Sequence, residues 1–96
     1  MIPAIILPVV RRAIVDLLAD IGGEQNDDVI TTLLRGLGHH IARRDVAEQL
    51  RWLHREKLVE LSALGNYLVA DILPDGLDVA NGTLKVEGIA RHKTGR

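Results

Sequence analysis

The chain contains no cysteine and no phenylalanine, and only one tryptophan, one tyrosine and three prolines among 96 residues. Without cysteine there is no disulfide framework, no thiolate zinc site and no thiol redox chemistry, a composition that fits the cytoplasm. With 2% aromatic against 47% apolar residues, the core has to be built from Leu, Ile, Val and Ala, which pack well in helices. Long apolar runs are missing too, since none reaches the roughly 18 residues that span a bilayer. The opening MIPAIILPVV is apolar, but no basic segment precedes it and Pro3 and Pro8 interrupt it. It is therefore read as part of the fold and not as an export signal.

Charge of one sign is also lacking. The net charge of -1 argues against indiscriminate polyanion binding, but the distribution is uneven. Asp16, Asp20, Glu24, Asp27 and Asp28 form an acidic stretch with no basic residue among them. Arg43, Arg44, Arg51, Arg55 and Lys57 outnumber Asp45, Glu48 and Glu56, and Lys85, Arg91, Lys93 and Arg96 face only Glu87. Any nucleic-acid contact is expected on the second half of the molecule. Catalytic constellations are absent as well. There is no Gly-rich phosphate loop and no Ser or Thr with a partner His and acid at a persuasive spacing, so the chain is not expected to be an enzyme and no cofactor is expected.

What is there is helical periodicity. Ile6, Val9, Val10, Ala13, Ile14, Leu17, Leu18 and Ile21 recur at i, i+3, i+4, i+7 and predict an amphipathic helix that starts near Leu7, with Pro8 in its first turn, and ends at Gly22-Gly23. Asn26 is a good N-cap for a second helix through Leu33 and Leu34, stopping at Gly36 or Gly38, with Asp27 and Asp28 suiting the helix dipole. After the turn Gly38-His39-His40, Val46, Leu50 and Leu53 mark the inward face of a third helix from about Arg43 to Lys57, with Ala42 at the cap position. Leu58–Ala63 and Tyr67–Ile72 then read as two strands joined by Leu64-Gly65-Asn66, and Pro74-Asp75-Gly76 opens a last helical turn or two up to Ala80.

The centre of this arrangement is GLGHHIARRDVAEQLRWLHREKLVEL: a helix end, a tight turn, a second helix and a short strand. That is the layout of a helix-turn-helix followed by a hairpin wing. On the third helix Arg44, Glu48, Arg51 and Arg55 fall on the outward side, flanked by Arg43 and His54. Outward arginines suit phosphates and guanine edges in a major groove. The competing reading is a solvated face in which Glu48 pairs with Arg44 and Arg51 at helical spacing and repels phosphate. His39, His40 and His54 lack the further donors a zinc site needs, so no metal is expected. Trp52 lies on the flank of the same helix, a packing position or, if exposed, a subunit anchor. The apolar start, with Ile2, Ile5, Ile6 and Val9, either folds back on its own core or covers a partner subunit.

RRAIVDLLAD, LLRGLGHHIARRDVAEQLRWLHREKLV and LVADILPDGLDVANG, with a basic tail behind, resemble the small winged-helix proteins encoded in the late, structural-gene region of Mu-like bacteriophages and prophages. These are often described as arsenic-regulator-like transcription factors, mostly without established function. The resemblance covers nearly the full length and implies a phage or prophage origin and a winged helix. The chain departs from the pattern at Ala42, where a polar cap is usual, and at Pro3 and Pro8.

The expectation from sequence is therefore a mainly α winged helix-turn-helix with a small β-hairpin, comprising a domain over 1–83 and a basic, mobile tail over 84–96. Its expected function is DNA binding and transcription regulation as a homodimer. Arg43, Arg44, Arg51, His54 and Arg55 would face double-stranded DNA, and Ile2, Ile5, Ile6 and Val9 would form the dimer interface. The alternative is a protein-interaction module in phage assembly or DNA packaging that does not bind DNA. Neither reading involves a membrane.

Overall fold

The computed structural model describes residues 1–92. Lys93 and Arg96, counted above with the basic tail, lie outside the described residues. The fold is mixed α/β, with four α-helices and a three-stranded antiparallel sheet among the described residues.

A 3-10 turn, Ala4–Ile6, leads into α1, Leu7–Ile21. Pro8 falls in the first turn of α1, where its missing N–H costs no intrahelical bond. Val10, Ile14, Val15 and Leu18 form its buried face, and Gly22 ends it at φ +74°, donating its N–H to the Leu18 carbonyl at 2.9 Å. Glu24–Asn26 is β1, and α2 follows at once as Asp27–Gly36. The Asn26 side chain caps α2 by accepting from the Val29 N–H at 2.8 Å. The chain turns through Gly38, at φ +96°, into α3, Arg43–Arg55. Strands β2, Val59–Leu64, and β3, Tyr67–Ile72, form a hairpin around Gly65 and Asn66, and Pro74–Ala80 is α4.

The sheet order is β1-β3-β2. Sequence alone gives only the hairpin and a mainly α fold. β1 adds a third strand through the pairs Glu24–Asp71, Gln25–Ala70 and Asn26–Val69. The core lies between the helices and one face of this sheet, with Ile14, Leu18, Ile30, Leu34, Leu50 and Leu53 all fully buried. Val59 and Ala70 supply the sheet side, and Val79 of α4 closes the remaining flank.

The third helix ends at Arg55, two residues before the expected Lys57. Lys57 adopts φ +62°, a left-handed conformation normally given to Gly. Two hydrogen bonds hold this exit, Lys57 N–H to the His54 carbonyl and Leu58 N–H to the Leu53 carbonyl, each 3.0 Å. They satisfy the last helical carbonyls and turn the buried Leu58 into the core.

Packing continues past residue 83. Leu84, Val86 and Ile89 lie against the core, and two α1 arginines hold the backbone behind them. Arg11 donates to the Gly88 carbonyl at 3.1 Å, Arg12 donates to the Ala90 carbonyl at 2.9 Å, and the Ala90 N–H donates to the Pro8 carbonyl at 3.0 Å.

Candidate nucleic-acid interface

α3 has a sharply two-sided sequence. Val46, Leu50 and Leu53 face the core, joined by Ala47 and Gln49, while Arg44, Glu48, Arg51, His54 and Arg55 are exposed. Its first turn lacks a side-chain cap because Ala42 occupies the N-cap position. Asp45 in that turn and Arg55 in the last turn give the helix dipole favourable charges at both ends.

The exposed arginines make no close ion pair with Glu48 among the described residues. Among the described residues, neither Arg44 nor Arg51 comes within 4.0 Å of a carboxylate oxygen, and Arg55 likewise has no ion pair at that distance. All three are exposed and recur at helical spacing on one side of α3. Beside Arg44, Glu48 and Arg51, a shallow groove of about 400 Å³ is closed on its other side by Met1, Ile2 and Leu7. The Met1 amino group lies 3.2 Å from Asp45 across it.

Arg43 has different surroundings. Its Nε and Nη2 donate to the two carboxylate oxygens of Asp27 at 3.2 and 3.3 Å, and Nη2 also donates to the Asn66 carbonyl at 2.8 Å. The guanidinium lies over the Tyr67 ring, 4.9 Å from its centroid. Asp27 is only 4% exposed and also accepts from the Leu68 N–H at 3.2 Å. One carboxylate thus joins the start of α2, the start of α3 and the hairpin. Hydrogen bonding to Asp27, with the nearby negative charge, holds the Arg43 guanidinium above its ordinary pKa.

His54 is half-exposed, but its Nδ1 is engaged with the Val59 carbonyl at 3.1 Å, and the Glu60 carboxylate is 3.9 Å away. A carbonyl only accepts, so Nδ1 carries the proton in this contact. His39 and His40 lie in the loop between α2 and α3, and no group of three His, Cys, Asp or Glu residues converges as a metal site among the described residues.

Of the apolar N-terminal residues, Ile5, Ile6 and Val9 are exposed to 85%, 43% and 47%, whereas Ile2 packs against the chain's own core. Trp52 is partly buried, and the Arg11 guanidinium stacks on its ring 3.9 Å from the centroid. Arg11 also donates to the buried Gln49 at 2.8 Å, and its burial lowers its pKa from the ordinary arginine value, opposed by the nearby Glu56 carboxylate. Arg12 donates to the Val79 carbonyl at 3.0 Å and pairs with Asp16 at 2.9 Å. Sequence reasoning gives no role to either arginine. The available signal is their adjacency in the apolar first half of α1, where long cationic side chains reach backbone carbonyls of a neighbouring segment.

The outer face of the sheet carries the opposite charge. Asp71 of β3 stands directly opposite Glu24 of β1 and Glu60 of β2, which aligns these carboxylates in one cross-strand row. Like charges in that arrangement repel one another and repel phosphate. The two surfaces therefore differ in charge: exposed arginines around Glu48 on the outward side of α3, aligned carboxylates on the outer sheet face.

No family model matches the chain, and no solved structure matches it. It is similar to the uncharacterized protein gp26 of Escherichia phage Mu, with 32% identity over 83 residues that cover 86% of each chain.

Proposed function

The chain belongs to the family of the uncharacterized protein gp26 of Escherichia phage Mu, and on that premise we propose that it is a winged-helix protein that binds double-stranded DNA through α3 as a transcriptional regulator. The winged-helix reading rests on the element order α1-β1-α2-α3-β2-β3-α4 with the sheet order β1-β3-β2. In that architecture α3 is the recognition helix and the β2–β3 hairpin is the wing.

The observation that carries the DNA reading is the exposed, unpaired row of Arg44, Arg51 and Arg55, taken among the described residues. In a major groove these side chains reach phosphate oxygens or the O6 and N7 of guanine. Arg43 acts differently: held by Asp27 and Asn66, it fixes the start of α3 against the hairpin. His54 likewise secures the junction of α3 with β2. Ile5, Ile6 and Val9 supply the apolar surface for a two-fold dimer, which presents two α3 helices to half-sites about one helical turn apart.

The test is fluorescence-detected binding to mixed-sequence duplex DNA across a salt series, for the native chain and for Arg44→Ala/Arg51→Ala/Arg55→Ala. Phosphate contacts release counterions, so native affinity falls steeply with salt. The triple variant binds weakly with a slope flatter by up to about 3. Absence of binding at low salt would reject the reading in favour of a module in phage assembly or packaging.

A further inference from the structure

Among the described residues, one edge of the sheet is open. In the order β1-β3-β2, β2 pairs with β3 alone. The Leu73 N–H donates to the Leu58 carbonyl at 2.9 Å, and the ladder alternates from that pair. Glu60, Ser62 and Leu64 therefore turn their backbone groups toward β3, while Val59, Leu61 and Ala63 turn theirs outward. Two of the outward groups are met locally: the Val59 carbonyl by His54 Nδ1 at 3.1 Å, and the Leu61 N–H by Glu60 Oε1 at 3.3 Å. Among the described residues, the Val59 N–H, the Leu61 carbonyl and both groups of Ala63 have no partner in this chain.

The strand itself, VELSAL, holds no Pro and no Lys, and its guards are two side chains that can swing away, His54 on the Val59 carbonyl and Glu60 on the Leu61 N–H. Its pattern is also self-complementary. Antiparallel pairing about a two-fold at Leu61 sets Val59 opposite Ala63 and Leu61 opposite its own copy. On that face, apolar side chains meet apolar side chains. On the other face Glu60 meets Ser62 of the second copy, a carboxylate opposite a hydroxyl donor, so the glutamates do not oppose each other. All the outward N–H and C=O groups of Val59, Leu61 and Ala63 find partners in this register.

We propose that the β2 edge binds the β2 edge of a second copy of this chain, joining the two sheets into one continuous antiparallel sheet. His54 and Glu60 act as occupants of the edge that give up the Val59 carbonyl and the Leu61 N–H when the second strand arrives. The pairing uses neither the α3 arginines nor Ile5, Ile6 and Val9, so it stands or falls apart from the DNA reading. With the N-terminal contact it gives the chain two self-associating surfaces.

Sedimentation velocity over a concentration series from micromolar to millimolar tests it, in an Ile5→Ser/Ile6→Ser background that removes association through the N-terminal segment. The background chain passes from monomer to dimer as concentration rises. Ser62→Glu sets two symmetry-related like-charge pairs across the new ladder and weakens the dimer about tenfold. Adding Glu60→Lys to Ser62→Glu turns each repulsive pair into an attractive one and restores dimerisation. Ala63→Pro deletes an N–H that the single chain does not use and abolishes the dimer without changing the far-ultraviolet circular dichroism. A chain that stays monomeric over the whole range overturns the proposal, and so does a dimer that Ser62→Glu and Ala63→Pro both leave intact.

Discussion

Gly76 is the residue whose replacement most directly tests how α4 is seated. It lies inside α4, buried, and a Cβ built there meets the Leu58 carbonyl oxygen and comes to 2.7 Å from Ile72 Cγ1 and 3.2 Å from Ile72 Cδ1. Neither obstacle is free to move. The Leu58 carbonyl accepts the Leu73 N–H at 2.9 Å, and Ile72 is held in the ladder opposite Val59. Gly76→Ala gains about 1 kcal/mol of helix propensity. Against that, overpacking costs about 1–3 kcal/mol, and displacing the Leu58 carbonyl forfeits roughly another 1 kcal/mol of hydrogen bonding. The clash wins, and a net loss of about 1–3 kcal/mol lowers the melting temperature by about 5–20 °C for a domain of this size. Gly36→Ala is the control: it ends α2 with nothing within 4 Å of the new Cβ, so propensity alone acts and stability rises by up to about 1 kcal/mol. Urea and thermal unfolding, followed by circular dichroism and Trp52 fluorescence, measure both. A Gly76→Ala variant as stable as the native chain, beside a control that behaves as stated, would refute the packing argument.

Removing residues 84–96 takes Leu84, Val86 and Ile89 off the core and strips Arg11 and Arg12 of the Gly88 and Ala90 carbonyls. The truncated chain should lose on the order of 3 kcal/mol in urea unfolding, whereas a free tail would cost nothing. Arg43→Ala should lower the melting temperature because it leaves the buried Asp27 carboxylate with the Leu68 N–H as its remaining donor among the described residues. Arg44→Ala, on an exposed side chain with no ion pair among the described residues, should leave the melting temperature within about 2–4 °C while reducing the salt slope of the proposed DNA binding.

Sequence is most informative where a local rule fixes the backbone. Pro8 sets the start of α1 near Leu7, Asn26 caps α2, and Pro74 opens α4, each as read from residue type alone. β1 is not legible. Glu24, Gln25 and Asn26 carry no apolar alternation, and they are a strand only because Asp71, Ala70 and Val69 lie beside them. The end of α3 is displaced from its expected place because Lys57 takes a left-handed turn without the Gly or Asn that announces one. On sequence Arg43 flanks the outward arginines and is grouped with them because it is adjacent to Arg44. Its partner Asp27 lies 16 residues earlier and is explained well enough as a helix-dipole charge. Each residue has a sufficient local account, which conceals the ion pair between them.

That pair bears on how the whole charge pattern works. A helix face rich in arginine binds a polyanion only if the surrounding carboxylates are either used up or turned away. Asp27 is used up by Arg43, and Asp16 by Arg12, both within the fold. Glu24, Asp71 and Glu60 are turned away, aligned in one row on the outer sheet face. Glu48 is then the negative charge left on the outward side of α3 between Arg44 and Arg51. On the proposed DNA reading, Glu48 would serve as a register device as much as a penalty: accepting from the exocyclic amine of cytosine is the base contact a carboxylate makes in a major groove. If α3 lies in that groove, Glu48→Gln should raise affinity for mixed-sequence DNA by relieving phosphate repulsion and should reduce discrimination between sequences. A face that merely attracts phosphate would show the gain in affinity with discrimination unchanged, and competition between duplexes of differing sequence separates the two.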